Sequence, residues 1–173
     1  AKTLADYDKF HGWEIPFIGF NELTKHATAD LYDRMMSINR SSFTPERDTP
    51  KLPNGKYATP DGLPLPPIPL EVFSTTNPSG PGHNWVKRRY IDPNPGGYQI
   101  ITESTEIELD GVKQTVSLDR VFIPSKIGDN QLLMRNDPTY ILRRRQSGSE
   151  ALVKAWLEGN WDIVDGAFFD EWD

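Results

Sequence analysis

Polar side chains that could take part in catalysis follow directly on two apolar runs of the chain. The run Ile15–Phe20 ends in Asn21 and Glu22. The run Pro69–Phe73 leads into four polar residues, Ser74, Thr75, Thr76 and Asn77. A carboxylate at a strand end can orient and polarise a water for attack on a phosphoryl group, and nearby hydroxyl and amide groups can contact a terminal phosphate. The pattern predicts a catalytic Glu22 and ligand contacts from the other polar residues.

Each of these residue types also has an ordinary structural role. The helix dipole alone favours a glutamate near a helix start. Serine, threonine, asparagine and proline are the usual residues of a junction between a strand and a loop. Asn21 lacks the negative charge that makes aspartate a good magnesium ligand, so on its own it indicates an N-cap or a turn. Spacing alone leaves both interpretations open.

The elements that must position these residues are predicted to form a parallel α/β unit. A nearly continuous apolar run is typical of a strand covered on both faces, and ligands of such sheets bind at the carboxyl ends of the strands. A helix is predicted over residues 23–39, with apolar residues at helical spacing and Thr24 or Thr28 as its N-cap. Strand followed by helix is half of a parallel βαβ unit.

The remaining chain is predicted to contain a long loop, a hairpin and short helices. Residues 41–67 are dense in Pro, Gly, Asn and Asp, which indicates either a functional loop or a solvated insertion. Two alternating runs, 98–109 and 112–123, flank the turn signal Asp110-Gly111 and predict an antiparallel hairpin. Helices are predicted over 83–91, 137–145 and 149–157.

The chain is acidic overall but carries two local basic clusters. It has 173 residues, a formal net charge of −6 and no cysteine, which excludes disulfides and thiolate metal sites. No apolar run approaches the roughly 20 residues of a membrane span, so no membrane partner is expected. The basic clusters are interpreted as contacts to DNA or to the ATP of a neighbouring subunit, or as solvated helix faces. They comprise Lys87, Arg88, Arg89, Arg143, Arg144 and Arg145.

Other signals of a nucleotide or metal site are weak. The sequence contains no G-x-x-x-x-G-K-[ST] loop, whose backbone amides and lysine cradle phosphates. The histidines show no metal-ligand spacing, so no metal site is predicted. The acidic tail favours either a two-metal nuclease centre or solvated carboxylates around an aromatic anchor. Its members are Asp162, Asp165, Asp170, Glu171 and Asp173.

Four segments follow the motif order of a known family of molecular motors. They are residues 17–24, then 73–78 followed by 80–87, then 120–125 with 129–130, and finally 156–162 running to 166–169. Together they resemble the large terminase subunits of tailed bacteriophages, which package DNA into procapsids. The first segment resembles the Walker B strand with its catalytic glutamate, although Asn21 replaces the usual aspartate. The second resembles the coupling motif and its helix, and the others resemble the segment that closes the ATPase domain and leads into the nuclease.

The resemblance implies a fold and roles for the site residues. The fold would be part of a P-loop NTPase-type parallel sheet with an added antiparallel hairpin and C-terminal helices that form a lid. Residues 1–95 would belong to the ATPase core, 96–159 to the lid and 160–173 to a linker toward a nuclease domain. Glu22 would activate the attacking water. Ser74, Thr75 and Thr76 would couple phosphate release to movement.

The resemblance also implies cofactors, partners and location. ATP and Mg²⁺ would serve a longer protein, with the P-loop before Ala1 and the nuclease after Asp173, so this chain alone is expected to be inactive. Double-stranded DNA, a small terminase subunit and a portal would be its partners in an oligomeric ring. The location would be the cytoplasm of an infected or lysogenic bacterium. The alternatives are a non-catalytic module that docks DNA or protein, and a nuclease built on the acidic tail.

Overall fold

The fold is mixed α/β, and the computed structural model describes residues 7–163. Within this range lie one two-stranded parallel sheet and one antiparallel hairpin. The predicted α/β class is confirmed at this level. The chain divides into two compact units: the first comprises residues up to Asn21 together with Ala29–Thr75, and the second comprises Glu22–Thr28 together with the residues from Thr76 onward. Within the described range, no helix is long and apolar enough to span a membrane.

The first unit is built on the parallel pair of strands. Strand β1 (Phe17–Phe20) pairs with strand β2 (Glu71–Ser74), and the register ends with Phe20 opposite Ser74. Both predicted strands are confirmed, but each begins two residues into its apolar run. Proline explains the late start, because Pro16 and Pro69 have no N–H to donate to a ladder.

The expectation that β1 is covered on both faces is wrong. Ile18 and Phe20 are only 5% and 7% exposed, whereas Phe17 is 60% exposed. The covered face lies against helix α1 (Asp30–Met36), where the rings of Phe20 and Tyr32 have centroids 5.1 Å apart. An apolar run shows that a strand can be buried, but it does not show that a second layer covers its other face.

Helix α1 is shorter than the predicted helix over 23–39. A 3₁₀ turn occupies Leu23–Lys25, and the residue before α1 is Ala29, so neither Thr24 nor Thr28 is its N-cap. The Thr24 hydroxyl instead donates to the carbonyl of Asn77, which is 53 positions further along the chain and lies in the same unit. This tertiary contact keeps Thr24 in the 3₁₀ turn and delays the start of the helix. The local sequence carries no signal of such a contact, so the predicted helix began too early.

Asn39, just after α1, fixes the entry into β1. Its Nδ2 donates to the carbonyl oxygens of Ile15 at 3.0 Å and Pro16 at 2.8 Å. The Ile15 N–H donates in turn to the Ile38 carbonyl at 2.9 Å. These bonds satisfy the backbone groups that precede the ladder and set where the strand begins.

The loop predicted over 41–67 is mostly irregular. It contains one short helix that lies outside the predicted helices, α2 (Pro45–Asp48), which starts with proline at a position where the missing N–H costs nothing. Beyond it, every residue from Leu63 to Pro69 is a proline or precedes one. Both placements restrict the backbone to extended conformations. The segment accordingly contains neither helix nor strand and leads straight into β2.

The second unit begins its regular structure with a helix and a long hairpin. Helix α3 (His83–Val86) continues as a π-helical turn over Lys87–Ile91, as predicted for 83–91. Strands β3 (Ile100–Leu109) and β4 (Val112–Val121) form the predicted antiparallel hairpin. The turn residues Asp110 and Gly111 both have positive φ, 51° and 78°, the conformation of a type I′ turn.

Among the described residues, one 3₁₀ turn (Ile127–Asp129) and three α-helices follow the hairpin. Helix α4 (Gln131–Asn136) lies outside the predicted helices, whereas α5 (Tyr140–Arg145) lies within the predicted range. Helix α6 (Glu150–Glu158) agrees with the helix predicted over 149–157 and has a cap at each end. The Ser149 Oγ accepts a backbone N–H of the first turn, and Gly159 ends the helix with φ of 65°.

His83 and Trp161 form an aromatic stack in the core of the second unit. Their ring centroids are 5.3 Å apart, and the residues are 4% and 6% exposed. The Ser79 N–H donates to His83 Nδ1 at 3.0 Å, so the neutral imidazole carries its proton on Nε2. Burial lowers the pKa of His83 below its ordinary value, while the Trp161 backbone acts in the opposite direction. The Lys87 charge also lowers this pKa, and Asp92 and Asp162 raise it.

We expect the free energy of unfolding to decline as the pH falls below about 6.5, because unfolded His83 then binds a proton that the folded chain resists. Replacing His83 with Phe keeps a ring against Trp161 but removes this titration. The variant should therefore show a flatter pH dependence between about pH 7 and pH 5, measured by urea denaturation. His11→Phe, at an exposed histidine, is the control and should keep the wild-type slope. Equal slopes for all three proteins would contradict the assignment.

Candidate functional site

In the first unit, the parallel register brings together the residues that follow β1 and β2. The Thr75 N–H donates to the Phe20 carbonyl at 2.9 Å, which continues the strand pairing by one bond. The Thr75 Oγ1 then donates to Asn21 Oδ1 at 3.0 Å. Ser74 is the last residue of β2 and is half-buried. Asn21 and Thr75 are thus in direct contact, and the Asn21 oxygen is occupied by a hydroxyl donor.

In the second unit, Glu22 contacts Asn77. The Asn77 Nδ2 donates to both oxygens of the Glu22 carboxylate, at 3.2 and 3.3 Å. Glu22 is half-buried and Asn77 is exposed. A carboxylate offers about four acceptor sites, so a single amide does not saturate it. The contact holds the carboxylate in one orientation. The carboxylate can still accept further hydrogen bonds.

The backbone of Glu22 lies in the left-handed region, with φ of 59° and ψ of 63°. A residue with a Cβ pays about 1–2 kcal/mol for this conformation, and such residues are concentrated in turns and at functional sites. The Glu22 carbonyl accepts the Lys25 N–H at 2.9 Å, which closes the 3₁₀ turn that follows. The residue type gives no signal of this conformation, since Asn and Asp, rather than Glu, are the usual non-glycine residues there.

Thr24 and Thr76 link the segments that carry Glu22 and Asn77. The Thr24 N–H donates to Thr76 Oγ1, the Thr76 hydroxyl donates to Thr24 Oγ1, and the Thr24 hydroxyl donates to the Asn77 carbonyl, each at 3.2 Å. Every hydroxyl proton in this set has an acceptor. Because Thr24 is only 3% exposed, these bonds are shielded from water. Thr76 therefore holds the backbone in place, a role that spacing alone does not distinguish from ligand contact.

The segment after Asn77 packs backbone to backbone on the turn after Glu22. The Gly82 N–H donates to the Thr24 carbonyl at 2.8 Å, and the Trp85 Nε1 donates to the His26 carbonyl at 2.7 Å. A Cβ on Gly82 would lie 2.1 Å from the His26 oxygen. The residues Gly80-Pro81-Gly82 are also the usual composition of a simple turn. The glycine at 82 is the one signal of this close approach.

The first basic cluster is partly engaged in ion pairs within the second unit. Lys87 Nζ lies 2.5 Å from an Asp92 oxygen and 3.2 Å from an Asp162 oxygen. The bond to Asp92, and then that to Asp162, raises the pKa of Lys87. Arg88 is exposed and Arg89 is half-buried. Of this cluster, Arg88 has the side chain most accessible to a phosphate.

The second basic cluster lies on α5. Arg143 forms an ion pair with Asp137, and the hydrogen bonds of Asp137 to Thr139 and Arg143 lower the pKa of its carboxyl. The Arg144 guanidinium lies over the Trp156 ring, 4.1 Å from its centroid, in a cation–π contact. Arg145 is exposed. The cluster is thus only partly available to an external anion.

The described residues do not fit a resident Mg²⁺. Within residues 7–163, no group of three or more His, Asp or Glu side chains is placed to hold a metal ion. The Asn21 side chain lacks the negative charge of a good Mg²⁺ ligand, and its oxygen accepts the Thr75 hydroxyl. Of the acidic tail, Asp162 pairs with Lys87. The others, Asp165, Asp170, Glu171 and Asp173, lie outside the described residues.

In comparisons with known proteins, no family model matches the chain, and neither a curated protein nor a solved structure gives a significant match. The resemblance to the terminase large subunits therefore rests on the sequence motifs. What the structure adds is the arrangement of the polar residues after the two parallel strands.

We expect Gly82→Ala to destabilise the protein, because its Cβ would meet the His26 carbonyl at 2.1 Å and Trp85 Nε1 at 2.7 Å. Overpacking of this kind costs typically about 1–3 kcal/mol. The φ of Gly82 is an ordinary −93°, so the effect is steric. Gly128→Ala is the matched control, since its Cβ would have no neighbour within 4 Å. Thermal unfolding measures both, and equal melting temperatures for the two variants would show that the close approach is absent.

Proposed function

We propose that the chain is the C-terminal part of the ATPase domain of a DNA-packaging motor of the terminase large-subunit kind. In this proposal, the longer protein couples ATP hydrolysis to translocation of double-stranded DNA, and Glu22 orients the attacking water. One observation carries the proposal: Glu22, two residues after the end of β1, has both carboxylate oxygens held by the Asn77 amide. Ligands of parallel α/β sheets bind at this end of the strands.

The Glu22–Asn77 pair has the chemistry that a water-orienting group needs. Phosphoryl transfer depends mostly on positioning and electrostatics, and a carboxylate held in one orientation can align a water with the phosphorus. Asn77 holds Glu22 through both carboxylate oxygens. An amide at this position can also turn toward a phosphate oxygen, since its two N–H groups are donors. Asn77 would then exchange the carboxylate for the phosphate during the cycle.

The same contacts give a route from the phosphate to the rest of the second unit. The Asn77 carbonyl accepts the Thr24 hydroxyl, and Thr24 is bonded to Thr76. A movement of Asn77 on phosphate release would therefore disturb bonds on both segments. Six residues downstream of Asn77, α3 begins at His83. In the proposal the β3–β4 hairpin and the helices from α4 to α6 form the lid that transmits the movement.

The other predicted site residues take supporting roles in this proposal. Ser74 and Thr75 offer hydroxyls toward the terminal phosphate, while Thr76 acts as a structural link. Arg88 and Arg145, which are exposed, are the basic residues best able to contact DNA phosphates or a neighbouring subunit. The ATP phosphates and Mg²⁺ would be held by residues of the longer protein outside this chain. The small terminase subunit and the portal would be its partners in the ring.

A non-catalytic docking module is the second candidate, and the bond between Asn21 and Thr75 favours it. Asparagine is a common structural residue of turns, where its side chain forms local hydrogen bonds. In this case Glu22 and Asn77 would only stabilise a turn. The gene sequence upstream of Ala1 distinguishes the two candidates. The motor requires a phosphate-binding loop in the same reading frame, within about a hundred residues before Ala1.

In the longer protein, Glu22→Gln is expected to lower DNA-stimulated ATP hydrolysis by about 100-fold or more while nucleotide binding persists, because the amide cannot accept the proton of the water. Glu71→Gln is the matched control, since Glu71 is an exposed glutamate at the opposite end of the same sheet. It should keep turnover. Unchanged turnover in Glu22→Gln would favour the docking module.

The 173-residue chain itself is expected to release no phosphate from ATP above background. The same phosphate assay measures this with the purified chain. Hydrolysis by the chain that Glu22→Gln abolishes would contradict the assignment of the phosphate-binding loop to another part of the protein.

A further inference from the structure

The β3–β4 hairpin has an open strand edge. Within residues 7–163, β4 pairs with β3 alone, and the residues of β4 are exposed except for Arg120. A two-stranded hairpin is only marginally stable in water, and a long open edge is a template for pairing with another chain. Ten residues in each strand make this a long edge. The hairpin is therefore the element of the second unit that a further strand would complete.

The turn determines which backbone groups of β4 face outward. With a two-residue turn at Asp110-Gly111, the pair Leu109 and Val112 is hydrogen-bonded, and hydrogen-bonded pairs then alternate with non-bonded pairs. The even-numbered residues of β4 bond β3. The odd-numbered residues present their N–H and C=O groups to the open edge: Lys113, Thr115, Ser117, Asp119 and Val121.

Charge distinguishes the open edge of β4 from that of β3. Strand β3 carries Glu103, Glu106 and Glu108 and no basic residue, so pairing with its own copy would bring like charges together. Strand β4 carries Lys113 and Asp119, which lie on the same face because they are six residues apart. Two copies of β4 in antiparallel order can therefore place each lysine opposite an aspartate.

We propose that the β4 edge is a dimerisation surface for a second copy of this chain. The two β4 strands pair antiparallel about a two-fold axis at Val116 and form a four-stranded sheet. In this register Lys113 lies opposite the partner's Asp119, and Asp119 lies opposite the partner's Lys113. The odd-numbered residues of both strands then exchange backbone hydrogen bonds, as their outward groups require. A shift by two residues in either direction would remove both charge pairs.

The two-fold axis also places the more apolar face of the hairpin on the same side of the sheet in both copies. Along β4 the even positions include Val112, Val116 and Leu118, which are 59%, 40% and 70% exposed. A two-fold axis perpendicular to the sheet keeps this apolar face on the same side in both copies. Val116 and the partner's Val116 then form a non-hydrogen-bonded pair, whose side chains are closest. The contact joins two copies only and is independent of the proposed motor activity.

A single introduced thiol tests the register, because the chain contains no cysteine. Val116→Cys is expected to form a disulfide-linked dimer under mild oxidation, since residues of a non-hydrogen-bonded pair are close enough for a disulfide. Val112→Cys lies on the same face, but its copy in the partner would be roughly 27 Å away along the strand. It should stay monomeric on a non-reducing gel. Equal cross-linking of the two variants, or none with Val116→Cys, would overturn the proposal.

A charge exchange tests the pairing itself, read by sedimentation equilibrium of the whole chain. Asp119→Lys places two lysines opposite each other twice and is expected to weaken dimerisation by about tenfold or more. Adding Lys113→Asp to Asp119→Lys restores opposite charges and should restore the dimer. Circular dichroism checks that the hairpin is retained in both variants. A monomeric wild type would overturn the proposal. So would an Asp119→Lys variant that dimerises as strongly as the wild type.

Discussion

The parallel register between β1 and β2 is the constraint on which the candidate site depends. Because Phe20 lies opposite Ser74, the next residues of the two strands meet, and Thr75 bonds both the Phe20 backbone and the Asn21 side chain. A slip of one residue would turn the buried Ile18 and Phe20 toward solvent. Packing of that face against α1 therefore protects the register, and the register brings Asn21 and Thr75 together within the first unit.

Within the second unit, Glu22 has a backbone conformation that its residue type does not favour, and long-range hydrogen bonds maintain it. Its left-handed backbone costs free energy, and the network of Thr24, Thr76 and Asn77 offsets that cost with shielded hydrogen bonds. The close approach of Gly82 to Thr24 adds to this support. A carboxylate held in one orientation is one feature that the proposed water-orienting role needs.

Elements whose signals are local could be predicted from the sequence. The Asp110-Gly111 turn and the Ser149 cap of α6 specify their conformations through nearest neighbours alone. Features that depend on distant residues could not. The start of α1 follows from the use of Thr24 in a tertiary contact, and the exposure of Phe17 depends on what the rest of the chain packs against its side chain. The contact between Glu22 and Asn77 joins residues 55 positions apart. The two apolar runs predicted that the strand ends are neighbours, but they did not predict this contact.

A double-mutant cycle on ATP hydrolysis by the longer protein tests the central claim, that Asn77 acts by holding the Glu22 carboxylate. The cycle compares Glu22→Gln, Asn77→Ala and the double variant with the wild type. If the two residues act as one unit, the double variant will be no slower than Glu22→Gln alone. If the two losses multiply, Asn77 acts independently of Glu22, and the assigned role of their contact is wrong.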